Sequence, residues 1–430
     1  MKKVKKVVVV AASAIALITS NVPTLAYWEV NTISSNTEEA TQIQKVAEHT
    51  TGDNFNLGDW THKEYSTSII LNHYNGTDTD IVIPGEFKGK QVKIGTMNCF
   101  SNIQHTMTSL TFKEHKGKKV QTPNTFKSVF ENYTALKSVD LSGLDTTDVT
   151  NMNSMFKGCT SLISVNLSGF YLEKVTDMSH MFTDCSKLTS VTFGDIFDAS
   201  QTTNMAYMFK GCTSLENLDM SGFITEKVTN LSYMFDGCQS LKSLDLSNFN
   251  TELVTNMRYM FNGCKSLTNL DVSSFNTKLI TAMDNMFRDC SSLTSLDLSG
   301  FNTENVTTMT NLFLGCSSLS SIDISSFNTS QVTMLNNMFK DCNSLNSLDL
   351  SNFDTSKATN MSYMFSNSGV SELDLSSFDT SKVANMQGMF YNTEDLEKIT
   401  FGDKFTTSSV TNMAYMFCDS AVENLDLSNF

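Results

Sequence analysis

The chain has 430 residues, 40% of them apolar, and carries 30 Lys+Arg against 45 Asp+Glu for a net charge of −15. Apolar content of this size fills a continuous interior and argues against a disordered polymer. The acidity argues against nucleic acid or anionic lipid as a partner, because both require a basic footprint.

Lys2, Lys3, Lys5 and Lys6 precede the apolar run VVVVAASAIALI, and Thr24-Leu25-Ala26 follows with small residues at cleavage-type positions. Residues 1–26 therefore read as a secretory signal peptide cleaved after Ala26. The run is shorter than the roughly 20 residues a membrane span needs. Residues 27–68 show no period and read as a flexible lead-in or N-terminal cap, with Trp28 and Trp60 available to cover an open end of the core. Residues 69–125 contain the strand-like IVIP, a GEFKGK turn, a second strand-like QVKIG and the basic run KEHKGKK at 113–119. That run reads as a solvated turn rather than a binding patch.

From Phe126 to the end one unit recurs about twelve times, most completely as LKSLDLSNFNTELVTNMRYMFNGC at Leu241–Cys264, with a step of 26 residues slipping to 25 or 27 at a few joins. A fixed period in this range signals a stacked repeat fold. In LKSLDLS, Leu244 and Leu246 alternate with Ser243, Asp245 and Ser247, the period of a half-buried strand. In VTNMRYMFNGC, Met257, Met260, Phe261 and Cys264 fall at i, i+3, i+4 and i+7. That spacing predicts a short helix capped by Thr255 and left at Gly263. Asp184, Asp289, Asp341 and Asn367 replace that Gly in other units, which suits residues tolerant of the same backbone. The predicted fold is an α/β solenoid, a right-handed leucine-rich-repeat-like stack of strand plus short helix. The final unit stops at NLDLSNF, half-way through, which points to a longer parent protein.

The IP…GK…IG pattern of 81–95, Asn98-Cys99-Phe100 and the VTNMxxMFxxC units together resemble BspA-type leucine-rich-repeat surface proteins of bacteria. That resemblance implies a curved solenoid outside the cell that binds host or microbial surfaces.

Each consensus position becomes a column in a stack. The Cys column, Cys159 through Cys342 over eight units, reads as buried free thiols, with disulfides or metal as the alternative. Met beside Phe reads as core. The strand-face column Asp219, Asp245, Asp271, Asp297, Asp323 and Asp349 is a weak Ca²⁺ candidate whose mutual repulsion should raise some carboxyl pKa values. Otherwise it is a solvated face with Ser hydrogen bonds. Tyr207, Tyr233 and Tyr259, with Arg258 adjacent, form a candidate protein-docking stripe, since Tyr and Arg dominate interface hot spots; the alternative is Tyr packing between adjacent turns. No unit carries a distinct nucleophile–base set, and no phosphate loop or HExxH is present, so neither enzyme activity nor a cofactor is expected. The expected role is an exported, monomeric surface module for a protein or glycan ligand; a passive stalk is the alternative.

Overall fold

The computed structural model describes residues 55–194, 197–428 and 430, all within one compact unit spanning His49–Phe430. The expected signal peptide, Trp28 and most of the lead-in lie outside the described residues. The first two strands form an antiparallel hairpin, β1 (Trp60–Glu64) against β2 (Ser68–Tyr74). Trp60 is 5% exposed and meets Tyr74 at 5.1 Å and Phe100 at 5.6 Å between ring centroids, so an aromatic cluster closes this end of the core.

Beyond the hairpin the chain coils into a β-solenoid of about 13 turns with a period of about 26. Short strands stack in parallel on the strand of the preceding turn; Leu296 pairs with Ile322 and Asp297 with Asp323. A second column of single parallel bridges runs Asn151–Asp177–Asn204–Asn230–Asn256 and onward. Inside, Phe130, Phe156, Phe182, Phe209, Phe235, Phe261 and their successors form one continuous ladder. Phe261 sits 5.9 Å from Phe235 and 5.8 Å from Phe287 with nearly parallel planes, and all three are 0% exposed. Leu, Val, Met and Cys columns fill the space around it.

The expected helix does not form. Met260 N–H donates to Met257 O at 3.2 Å, Asn262 to Tyr259 O at 3.2 Å and Cys264 to Phe261 O at 3.2 Å, which are i→i−3 turn bonds. The N–H groups between them leave the turn altogether: Tyr259 donates to Asp284 O, Phe261 to Met286 O and Gly263 to Arg288 O in the next unit. Tyr259 (φ 60°) and Gly263 (φ 71°) are left-handed, which no α-helix tolerates in its interior. Both sit third in their four-residue turns, where a type II turn requires positive φ. Tandem turns thus bring i, i+3, i+4 and i+7 inward just as a helix face does. Thr255 caps nothing; its hydroxyl donates to Thr229 O of the preceding unit at 3.3 Å. The expectation about the Gly slot fits this geometry, since Asp184, Asp289, Asp341 and Asn367 all have φ of 55–60°. Among the described residues the only helical elements are 3₁₀ segments, Leu57–Asp59 and Met97–Ile103.

The Cys column is reduced and internal. Each thiol from Cys159 to Cys342 donates to the carbonyl of the Phe in the preceding unit, Cys238 to Phe209 O at 3.1 Å for example. Burial pushes the Cys159 thiol up to about 12.

Candidate functional site

Two outward columns carry the candidate residues. On the strand face, Asp219, Asp245, Asp271, Asp297, Asp323 and Asp349 point to solvent, one per turn. Each accepts the backbone N–H of the Ser two residues on, at 2.9–3.0 Å. The Ser hydroxyls of Ser221 and Ser325 add bonds of 2.6 Å to Asp219 and Asp323. These are Asx turns that shape the chain where it leaves the strand. The expectation of raised pKa values is overturned: the Ser221 hydroxyl and then its N–H hold Asp219 below the usual carboxylate range, and the Ser247 N–H does the same for Asp245. Repulsion from Asp219 and Asp271 acts on Asp245 in the opposite sense but is the smaller effect. Among the described residues no three His, Cys, Asp or Glu side chains converge as a metal site.

The sign of the linkage follows. Folded carboxyls with depressed pKa stabilise the array above the unfolded value of about 3.9, and that contribution is lost as pH falls below it. Asn can keep the turn without titrating, as Asn166 does by accepting Ser168 N–H at 3.0 Å. A variant with Asp219, Asp245 and Asp271 all changed to Asn is therefore expected to melt with a flatter pH dependence than wild type between about pH 5 and pH 2. Identical acid slopes for the two proteins would refute the Asx-turn account.

The Tyr stripe lies on the turn face. Tyr207, Tyr233 and Tyr259 stack face to face at 4.5 and 4.4 Å, and His180 extends the ladder at 4.4 Å from Tyr207. All four occupy left-handed backbone, φ 59–63°. Such a conformation costs a bulky residue of order 1–3 kcal/mol, and the stacking, worth about 0.5–1.5 kcal/mol per aromatic pair, offsets part of it. Tyr207 and Tyr233 have a ring against each face, so what they show to solvent is edge and hydroxyl. Lys210 Nζ lies 5.0 Å from the Tyr233 ring centroid while pairing with Asp236 at 2.6 Å. Arg258 Nε lies 3.0 Å from Asp284 Oδ2.

Beyond Tyr259 the same column changes chemistry. Asn285, Asn311 and Asn337 form an amide ladder, with Asn311 Nδ2 donating to Asn285 Oδ1 at 3.0 Å and Asn337 to Asn311 at 2.9 Å. Sequence reasoning missed this half of the column, along with His180. The signal was available: all of them occupy the slot immediately before Met-Phe or Leu-Phe. The basic run 113–119 is partly consumed by structure, since Lys116 and Lys118 pair with the buried Glu86 at 3.2 and 3.0 Å. Where Thr192 interrupts the Asp column, an open recess of about 370 Å³ lies between Phe193, Asp219 and Phe223.

The family described as "Mycoplasma protein of unknown function, DUF285" matches at residues 97–218, 124–243, 191–296, 282–402 and 368–430, overlapping stretches that leave no gap from 97 to 430. The chain belongs to the DUF285 family. No curated protein matches it. The resemblance to bacterial leucine-rich-repeat proteins expected from the repeat unit is found among solved structures. A leucine-rich repeat protein from Bacteroides ovatus is 16% identical, covering 84% of this chain and 90% of its own, with a TM-score of 0.40. A leucine rich cell surface protein from Faecalibacterium prausnitzii is 18% identical over 86% and 98%, with a TM-score of 0.37. A leucine-rich repeat protein from Eubacterium ventriosum is 14% identical over 84% and 95%, with a TM-score of 0.36. Among the described residues of this DUF285 chain, no helix is long and apolar enough to cross a membrane.

Proposed function

We propose that the array is a non-enzymatic binding scaffold, exported by the signal peptide at 1–26 and displayed at a bacterial surface, where it recognises a ligand on a host or neighbouring cell. One observation carries the reading. The inward columns repeat almost without change, whereas the turn-face column switches from Ser154 through His180 and Tyr207–Tyr233–Tyr259 to Asn285–Asn311–Asn337, and Tyr returns singly at Tyr363 and Tyr415. A spacer needs only the core columns; a localised, unit-specific change on the outside is what recognition uses.

The protein itself supplies a fair test substitution. Asn already occupies this slot with φ near 58° at Asn285 and Asn311 and bonds along the column. The triple variant Tyr207→Asn, Tyr233→Asn, Tyr259→Asn is expected to stay folded and to lose most binding to an array of host and bacterial surface proteins and glycans. Folded protein with undiminished binding would move the site off this stripe. Wild type that binds nothing on such an array would leave the spacer reading in place.

A further inference from the structure

The most irregular spot on the array lies at the C-terminal end of the Tyr ladder. The chain contains two arginines, and they fall on adjacent turns, at Arg258 and Arg288. The stacking makes Arg258 and Asp284 vertical neighbours in one column, and Asp236, Asn262 and Arg288 neighbours in another. Each guanidinium is tethered through Nε: Arg258 to Asp284 Oδ2 at 3.0 Å and Arg288 to Asp289 Oδ2 at 3.2 Å. Their side chains remain 47% and 40% exposed. Among the described residues neither makes a hydrogen bond to the protein through its Nη groups.

Two buried polar atoms here also lack hydrogen bonds. Asp284 is 4% exposed, and its Oδ1 accepts the Thr308 hydroxyl. Its Oδ2 is within ion-pair distance of Arg258 but out of line for a hydrogen bond. Asn262 gives its Nδ2 to Asp236 at 2.6 Å and leaves Oδ1 buried and unpaired. Native proteins keep few such atoms. Here they lie beside two outward guanidinium forks and the last ring of an aromatic ladder.

We infer that Arg258 and Arg288, with Tyr259 and Asn262 between them, form a receptor for paired carboxylates on an acidic segment of a protein partner. The planar fork of Arg matches a carboxylate bidentately, and the Nε hydrogen bond to Asp289 already orients the Arg288 guanidinium. The two forks lie one turn apart along the stack, a rise of roughly 5 Å, and four residues apart across it, so carboxylates spaced along one extended segment can meet both. Within the ladder, Tyr207 and Tyr233 offer a sugar no open ring face to stack on, because neighbouring rings cover both faces of each. This inference rests on the scaffold reading and narrows it to one partner chemistry.

The test uses the full mature chain with three labelled probes: a synthetic Asp/Glu-rich peptide, an oligogalacturonate and a neutral oligosaccharide. Binding is followed by fluorescence anisotropy at constant ionic strength. The peptide is expected to bind wild type. Each of Arg258→Ala and Arg288→Ala is expected to weaken it by about tenfold or more, as loss of a charged hydrogen-bonding partner does. The variant Arg258→Lys with Arg288→Lys keeps both charges and the means to pair with Asp284, and serves as the folded control checked by melting temperature. It should also lose about tenfold, because the fork is gone. Peptide binding that survives in the double Lys variant, or no peptide binding to wild type, overturns the inference. Arg-dependent binding of the oligogalacturonate without the peptide overturns it in favour of a uronate glycan. Retained binding to the surface array by the Arg variants would sink this inference while leaving the scaffold reading intact.

Discussion

Replacing Phe261 by Ala is expected to cost about 3–5 kcal/mol, the usual range for removing a fully buried ring. The side chain is 0% exposed and lies between Phe235 and Phe287. The consequence should exceed a lower melting point. Each turn of a solenoid contacts only its neighbours, so stability propagates through nearest-neighbour interfaces. A break near the middle of the ladder should uncouple the two halves and split a single denaturant transition into two. Chevron-free equilibrium unfolding in urea, followed by far-UV circular dichroism, checks this directly. A shift equivalent to less than about 1 kcal/mol, with one transition retained, would mean that the Phe ladder does not hold the turns together.

The second large effect concerns the ten cysteines. In native protein a thiol-reactive probe should titrate one group, Cys418, and should reach all ten only after denaturation without reductant. Nine of the ten are buried, and burial raises their thiol pKa, so the reactive thiolate is scarce as well as inaccessible. In the column from Cys159 to Cys342 every thiol is also engaged with a Phe carbonyl of the preceding unit at 2.9–3.3 Å. That bond gives the column a structural purpose separate from oxidation. Ser368 and Thr393 replace Cys later in the array and turn their hydroxyls to Phe365 O and Phe390 O of their own units, at 2.8 and 3.0 Å. A donor at this position is therefore kept where sulfur is not. Finding fewer than ten thiols after unfolding would show that vertical disulfides form, and that the alternative weighed from the spacing is the correct one.

The period and the list of inward residues were readable from the chain alone. Leu244, Leu246, Met257, Met260, Phe261 and Cys264 are all buried, because any stacked fold with this repeat must turn the same apolar positions to the interior. The left-handed slot was readable as well, since Gly alternating with Asp and Asn at one position marks positive φ. The helix was misread for a definite physical reason. A 3.6-residue face and a run of tandem type II turns bury the same spacing, and what separates them is whether alternate N–H groups stay within the turn or cross to the next unit. That choice depends on a neighbour 26 residues away.

The site depended on the same missing information. Tyr207, Tyr233 and Tyr259 were recognisable as a column, and Arg258 as adjacent to it. The stacking of the rings on one another, the pairing of Arg258 with Asp284, and the bond from Asn262 to Asp236 are all contacts between units. The Asp column illustrates the point most simply. Repulsion between carboxylates one turn apart was foreseeable, but the Ser two residues along each chain segment is nearer and binds more strongly, so local turn geometry outweighs the stack. The sequence by itself determined the repeat, its core and the columns that face outward. Tertiary structure alone decided which of those outward residues meet, because vertical neighbours in a solenoid are a full turn apart in the chain.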